Sequence, residues 1–228
     1  MKKVLSANTL KLIAIVAMVL DHIAVGFVVK TSVLYFIMRT IGKITAPIMC
    51  YFIAEGYFHT HNLKRYMLRL LIFALISHFP YVLYFSFANK VTSSIMLPLL
   101  LGLCALTLYK NETLSKPLRY IGIVLCFIVS LPCDWSCMPV FFILIFGIYH
   151  DNTHEMLVRF SVVGAIFALV NAIEDIHTAY MAGVLLSVPL LYMYSGQLGK
   201  KSPILKWSFY IFYPAHLLLL YAIKALLV

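Results

Sequence analysis

Charged residues are scarce in this sequence. They make up 11% of its 228 residues, only eight residues are Asp or Glu, and the hydrophobic share is 63% with a mean hydropathy of +0.97. This composition excludes an ordinary soluble domain and is typical of a helical membrane protein. The sequence also lacks a linker, a low-complexity tract and any loop large enough to fold alone, so we predict a single domain over residues 1–228.

Acidic residues are too few to balance the basic ones, and the formal net charge is +10. The Lys and Arg residues lie in short segments between apolar runs, so they indicate membrane orientation and not a nucleic-acid surface. We expect the lipid bilayer as a partner and no nucleic acid. We expect no secretory signal peptide, because the first apolar segment lacks a small-residue cleavage site and is followed by further apolar segments.

Cysteine is also rare, and its positions favour structural roles. Three of the five cysteines, Cys50, Cys104 and Cys126, lie within apolar segments, where a packing role is expected. Cys133 and Cys137 flank a short polar turn and could form a disulfide if that turn faces an oxidising compartment.

Metal-ligand patterns are weak. The pairs Glu55–His59 and His150–His154 have the i, i+4 spacing that suits two ligands on one helix face. Neither pair is followed by further Cys or His residues at zinc spacing, so we expect no metal.

Apolar runs close to the length that spans a bilayer recur along the chain. We predict an all-α, polytopic transmembrane bundle with nine helices at about residues 9–29, 38–58, 66–86, 93–109, 117–131, 138–149, 156–172, 177–195 and 204–226. The fifth and sixth are short and would be tilted, re-entrant or shielded by neighbours. Most of the 18 Lys and Arg residues then share the side of the N-terminus, which is therefore predicted to be cytoplasmic. An eight-span alternative would place the C-terminus on that side as well.

The first apolar segment, residues 10–28, carries Asp21 and His22 deep inside it. Ionisable residues at such depth are costly unless they are paired, solvated or used, so they indicate a functional site. Lys11 lies eleven residues before His22, which places the two within roughly 20° of one another around the helix and about 16 Å apart along it. One helix face therefore carries a cation near the membrane surface and an imidazole further in.

Other polar residues divide by depth into two groups. The first group lies in the outer half or the middle of the membrane. Its members are Asp21, His22, Arg39, Lys43, His78 and His216. A cytoplasmic basic group consists of Lys11, Lys64, Arg65 and Arg69.

Each group also has a structural interpretation. Asp21 and Arg39 could form an ion pair that only holds two helices together. His22 could donate a hydrogen bond to a neighbouring carbonyl, although its depth favours a functional role. Lys64, Arg65 and Arg69 could contact lipid headgroups and set the topology.

Three stretches resemble the TraX family of integral-membrane proteins: LKLIAIVAMVLDHIA, RTIGKITAPIMCYFIAEGYFHTHNLKRYMLRLLIFALISHFPY and KWSFYIFYPAHLLLLY. That family is named for the protein that acetylates the N-terminus of the F pilus subunit. The first stretch is also similar to the membrane O-acyltransferases of cell-surface polysaccharides. These carry a basic residue, ten further residues and then the catalytic histidine, which correspond to Lys11 and His22. Arg is usual where Lys11 stands, and Lys keeps the charge without the bidentate fork.

The resemblance implies a multi-pass acyltransferase of the bacterial cytoplasmic (inner) membrane that takes an acetyl group from acetyl-CoA. His22 would act as general base or acetyl carrier, and Arg39, ordered by Asp21, would stabilise the oxyanion. His78 and His216 would position groups or relay a proton. The cofactor-binding residues would be Lys11, Lys43, Lys64, Arg65 and Arg69. The acceptor stays open between a sugar, a peptide N-terminus and a small amine.

Two other classes of function remain open from the residues alone. A small proton-coupled transporter or channel could use the same intramembrane Asp, His and Arg residues, although the sequence shows no convincing internal repeat. A membrane scaffold without chemistry is the third class, and the number of polar residues buried at cost argues against it. Binding and slow hydrolysis of acetyl-CoA would distinguish the enzyme from both.

Overall fold

Helices account for every regular element in the described part of the chain, residues 3–86, 92–199 and 203–227 of a computed structural model. The α-helices are α1 (Ala7–Phe27), α2 (Val33–Gly42), α3 (Thr45–His59), α4 (Leu63–Ser86), α5 (Met96–Lys110), α6 (Lys116–Ser130), α7 (Met138–Ile148), α8 (Thr153–Glu174), α9 (Ser187–Tyr192) and α10 (Pro203–Leu227). A 3-10 helix, Ile176–Leu186, lies between α8 and α9. Only isolated β-bridges join non-helical residues in these ranges. The all-α prediction is confirmed.

Among the described residues, five segments are long and apolar enough to cross a membrane: Ala7–Phe27, Val33–His59, Leu63–Ser86, Thr153–Glu174 and Tyr210–Leu227. Only 28% to 39% of the residues in the most apolar part of each segment are buried inside the protein, so the remaining residues are partly or fully exposed. Large exposed apolar faces of this kind require hydrocarbon and not water around them. The chain is therefore a membrane protein. Its number of spans and the side of its N-terminus stay predictions.

Each of the nine predicted segments coincides with helical structure, but two differ in form. The segment predicted at 38–58 begins at Val33 and is divided into α2 and α3. At the division the Lys43 N–H lies near the Arg39 and Thr40 carbonyls, and Ile44 N–H donates to the Ile41 carbonyl, which tightens the helical turn. The segment predicted at 177–195 is mostly 3-10 helix.

The chain forms two compact units, residues Met1–Met49 with Thr153–Val228 and residues Cys50–Asn152. In the first unit α1 packs against α2 and α10, and the 3-10 helix packs against α2 and α8. Hydrogen bonds from Leu5 N–H to the Met193 carbonyl and from Ser195 N–H to the Leu5 carbonyl attach the start of the chain to the segment after α9. The prediction of a single domain over residues 1–228 stays a prediction.

The second unit is built around α5, which packs against α4, α6 and α7. Glycines permit the close approach of α5 to α7, because a Cβ at Gly102 would collide with Ile143 and one at Gly147 with Leu106.

In the loop between α6 and α7, Cys133 and Cys137 are free thiols. Burial raises the pKa of the Cys133 thiol, so this thiol is poorly reactive as well as unpaired.

Candidate functional site

Helix α1 places two ionisable residues side by side in the first unit. The Ser6 hydroxyl accepts from Thr9 N–H at the start of the helix, and Lys224 Nζ donates to the Gly26 carbonyl at its end (2.8 Å). Both contacts satisfy backbone groups that a helix end leaves open. Within this capped helix His22 is buried and Asp21 is half-buried, and the two side chains point about 100° apart around the axis. They therefore meet different neighbours.

His22 meets His216 of α10. Nδ1 of His22 lies 2.7 Å from Nε2 of His216, and the two rings are stacked with centroids 5.0 Å apart and planes at 10°. Both side chains are buried, at 7% and 6% exposure. Two polar rings removed from solvent on different helices are costly unless they satisfy each other, so this contact accounts for the burial of both.

The hydrogen bonds assign the tautomer of each ring. Nδ1 of His216 lies 2.8 Å from the Phe212 carbonyl, which can only accept, so this nitrogen carries a proton. In neutral His216 Nε2 then accepts, and the donor to it is Nδ1–H of His22. It follows that Nε2 is the unprotonated nitrogen of neutral His22, the atom that can take up a proton. The Phe212 carbonyl and His216 thus fix which nitrogen of His22 can act as a base.

Asp21 meets two cations instead. Arg39 Nη1 donates to Asp21 Oδ2 (2.5 Å), and Lys43 Nζ lies 3.2 Å from Asp21 Oδ1. Arg39 Nη2 also donates to the Tyr180 hydroxyl (3.3 Å), and its guanidinium lies over the Tyr180 ring at 4.7 Å. The Asp21 carboxylate therefore joins α1 to the last turn and C-cap of α2, and Arg39 joins α2 to the 3-10 helix.

Close packing of these elements depends on two glycines. A Cβ at Gly42 would collide with the side chain of Asp21, and one at Gly183 would collide with the backbone carbonyl of Thr40. Gly42 therefore lets α2 approach α1 at the ion pair, and Gly183 lets the 3-10 helix bring Tyr180 against α2. The position of Arg39 and Lys43 follows from these approaches.

The two clusters form one polar centre. Asp21 and His22 are adjacent in α1, and the charges of Asp21, Arg39 and Lys43 act electrostatically on His22. We call the five side chains of His22, His216, Asp21, Arg39 and Lys43 the polar centre. A group that can take up a proton thus stands beside fixed positive charge, which is the arrangement that favours developing negative charge on a reacting group.

Several predicted site residues lie elsewhere. His78 belongs to the second unit, is exposed on α4 and lies 3.5 Å from the Ser93 hydroxyl. Lys64 and Arg65 are exposed in the first turn of α4, and Arg69 lies over the Tyr66 ring at 5.3 Å.

Lys11 and Lys43, also predicted to bind the cofactor, lie in the first unit. Lys11 is half-buried on α1. Lys43 is 3% exposed within the polar centre, so its surroundings differ from those of the exposed Lys64 and Arg65.

One member of each i, i+4 pair contacts the other pair's first residue, because Glu55 and His150 lie together. Glu55 Oε2 contacts His150 Nε2 across the second unit (2.9 Å), and His59 Nδ1 lies 2.9 Å from the Glu55 carbonyl oxygen. In the part of the chain that the structure describes, no three His, Cys, Asp or Glu side chains could together hold a metal ion.

Sequence reasoning missed Tyr180, the Phe212 carbonyl and the two glycines. Tyr180 had no distinguishing signal among 15 tyrosines, because its role depends on the packing of the 3-10 helix on α2. The Phe212 carbonyl could have been suspected, since it lies one helical turn before His216.

The fold and the polar centre together define a class, helical membrane proteins with ionisable residues buried between their helices. The family is defined more narrowly by sequence. The model of the TraX protein family matches residues 6–224, and the chain belongs to this family. The chain is also similar to a probable fimbrial assembly protein, FimC of serogroup H1, from Dichelobacter nodosus, with 31% identity over an alignment of 238 positions that covers 97% of each chain. No solved structure is significantly similar to it.

Proposed function

We propose that this protein is an acyltransferase of the bacterial cytoplasmic membrane that moves an acetyl group from acetyl-CoA to a hydroxyl or amine acceptor. The observation that carries the proposal is the hydrogen-bonded pair His22–His216, whose geometry makes Nε2 the basic nitrogen of His22. A histidine with a fixed tautomer beside fixed positive charge has the parts that acyl transfer needs. Membership of the TraX family adds independent support.

In the proposed reaction, Nε2 of His22 takes the proton from the acceptor hydroxyl or amine. The acceptor oxygen or nitrogen then attacks the thioester carbonyl and forms the new C–O or C–N bond. Arg39 and Lys43 stabilise the negative charge that develops on the carbonyl oxygen. When the C–S bond breaks, the imidazolium of His22 returns the proton to the leaving thiolate, which gives the acetylated acceptor and CoA thiol.

The remaining residues divide between positioning and donor binding. His216 holds His22 in the reactive tautomer and Asp21 holds Arg39 and Lys43 in place, so both are positioning residues. Binding of the CoA phosphates through charge-assisted hydrogen bonds is assigned to the basic residues at the start of α4, which are Lys64, Arg65 and Arg69. The same role for Lys11 on α1 stays a prediction from the sequence. His78 lies near the Ser93 hydroxyl in the second unit, and its role in positioning or proton relay stays a prediction.

The acceptor is first sought among components of surface filaments, because the FimC relative is named a probable fimbrial assembly protein. A filament subunit offers both an amino terminus and side-chain or sugar hydroxyls, so it covers the acceptor chemistries that the polar centre could serve.

The test is release of free thiol from acetyl-CoA by the purified protein in detergent, with and without an added acceptor. We expect slow thiol release without acceptor and faster release with one. Arg65→Gln and Arg69→Gln should raise the KM for acetyl-CoA by about tenfold, the effect of losing one hydrogen bond to a charged group, with little change in kcat. Absence of both binding and turnover would reject the enzyme and favour a proton-coupled transporter that uses the same buried residues.

A further inference from the structure

Another group of aromatic and charged side chains lies where three helices of the second unit end. Phe58 is in the last turn of α3, Lys110 is the last residue of α5, and His150 follows α7. The Phe58 and His150 rings are stacked, with centroids 4.0 Å apart and planes at 28°. Lys110 Nζ lies 5.6 Å from the centroid of the Phe58 ring. We call Phe58, His150 and Lys110 the stacked cluster.

Neighbouring side chains hold the stacked cluster in place. Glu55 Oε2 lies 2.9 Å from Nε2 of His150, so the imidazole is oriented by a carboxylate of α3. Arg119 of α6 donates to the Tyr109 carbonyl and lies over the Tyr109 ring at 5.8 Å, which attaches the end of α5 beside Lys110 to α6. The aromatic rings and the ammonium are therefore positioned before a ligand arrives, and this lowers the cost of ordering them on binding.

The stacked cluster is accessible to a ligand. Phe58 keeps 38% exposure although its ring is stacked on His150, and Lys110 is exposed. An aromatic side chain at the end of a membrane helix often only contacts the lipid interface. Here the ring lies against an imidazole and is flanked by an ammonium. A flat aromatic surface beside a cation suits a nucleobase that carries phosphate, because the base stacks on the ring and the phosphate pairs with the cation.

We infer that the stacked cluster binds the adenine nucleotide head of the acetyl donor, with the adenine ring against Phe58 and a phosphate paired with Lys110. The inference rests on the proposed function, which makes acetyl-CoA the donor. The head of CoA is an adenosine with phosphates on its 3′ and 5′ sides, so it offers both the flat ring and the anions. In the predicted nine-span arrangement Phe58, Lys110 and His150 all fall at cytoplasmic ends, the side on which CoA is found.

The test measures binding of adenosine 3′,5′-bisphosphate, the head of CoA without its arm, to the purified full-length protein in detergent. Pantetheine, the arm without the head, is the matched probe. Binding is followed from the dependence of Tm on probe concentration, since a ligand that binds only the folded protein raises Tm. We expect saturable stabilisation by the bisphosphate and none by pantetheine at the same concentrations. Equal behaviour of the two probes in the wild type would overturn the inference without any variant.

Substitutions of Phe58 locate the adenine. Phe58→Leu removes the aromatic face and should weaken binding of the bisphosphate by about tenfold, the loss expected for one stacked base. Phe58→Trp keeps a flat face and should retain binding, which separates loss of stacking from loss of the fold. Phe79→Leu changes an exposed phenylalanine of the same unit and should have no effect. Unaltered binding by a folded Phe58→Leu protein would overturn the inference.

Substitutions of Lys110 locate the phosphate. Lys110→Met should weaken binding of the bisphosphate by about tenfold, the loss expected for one charge-assisted contact, and Lys110→Arg should retain it. Lys116→Met removes an exposed cation of the same unit and serves as the control. If Lys110→Met and Lys116→Met weaken binding equally, the phosphate senses only general surface charge and the assignment to Lys110 is wrong.

A competition arm identifies the source of the adenine. CoA should displace the bisphosphate at a lower concentration than ATP does, because ATP lacks the 3′-phosphate. If ATP displaces it at the lower concentration, the site serves a different nucleotide and the assignment to the donor is wrong. These binding measurements involve no acetyl transfer, so a failure of the proposed function is seen separately, as absent thiol release from a protein that still binds the bisphosphate.

Discussion

At the scale of single residues, the tautomer of His22 is set by a chain of two hydrogen bonds. The Phe212 carbonyl accepts from His216, and His216 accepts from His22 (2.8 and 2.7 Å). In many hydrolases a carboxylate accepts a hydrogen bond from a histidine and so fixes the imidazole proton on one nitrogen, and here a backbone carbonyl has this role. Unlike a carboxylate, the carbonyl adds no further charge to the polar centre.

These two hydrogen bonds predict different outcomes for two substitutions of His216. His216→Ala removes the acceptor for Nδ1–H of His22 and should lower kcat by about tenfold to a hundredfold, with little change in the KM for acetyl-CoA. His216→Gln keeps an acceptor oxygen near the former Nε2 and should recover much of the rate. The measurement is thiol release at saturating acetyl-CoA, with the exposed His154→Ala as control. Equal loss of rate in the Ala and Gln proteins would show that His216 only fills space.

A second residue-scale prediction concerns Gly42. Gly42→Ala would place a Cβ against the Asp21 side chain, so α2 must move or the ion pair with Arg39 must open. Overpacking of this kind costs about 1–3 kcal/mol, and Tm should fall. Gly164→Ala is the matched control, because its new Cβ meets only the Leu185 and Val184 side chains at 3.2 and 3.3 Å. If the Gly42→Ala protein were as stable as the Gly164→Ala protein, the close approach of α1 and α2 would be contradicted.

At the scale of elements, the existence of the helices could be predicted from the sequence and their form could not. Apolar runs indicated every helical segment, since length and hydropathy are local properties. At the division between α2 and α3, the Lys43 side chain contacts Asp21 of another helix. The 3-10 segment Ile176–Leu186 packs against α2 and α8. These contacts join segments that are distant in sequence, so no single segment encodes them.

For the site as well, the residues involved could be predicted from the sequence better than the contacts between them. Position within apolar segments was enough to single out Asp21, His22, Arg39 and His216, because burying an ionisable residue in the membrane is costly unless the residue is paired or functional. Pairing was only partly predictable. The Asp21–Arg39 ion pair was one of two interpretations and the structure contains it, whereas the His22–His216 contact joins residues 194 positions apart and left no trace in the sequence.

At the scale of the whole molecule, the distribution of basic residues predicts a cytoplasmic N-terminus. Alkaline phosphatase fused after Lys30 should then be active in the periplasm, and a fusion after Asn62 should be inactive. Green fluorescent protein at the same two positions should give the reverse pattern, which controls for failed expression. Phosphatase activity only at Asn62 would mean that the chain is inserted the other way round.

The TraX family model matches residues 6–224, and the alignment with the FimC relative covers 97% of each chain, so the similarity concerns nearly the full chain. In this chain the proposed chemistry is assigned to the buried His22–His216 pair and the charged cluster around Asp21. The proposed function requires that His22 supply the base for acetyl transfer.

The most direct test of this claim is the comparison of wild type and His22→Ala for binding and hydrolysis of acetyl-CoA in detergent. Both proteins should bind CoA with similar affinity, and thiol release should fall by at least about a hundredfold in the variant because the general base is lost. Tm and elution volume serve as controls for folding. A folded His22→Ala protein that hydrolyses acetyl-CoA at the wild-type rate would show that His22 is not the base.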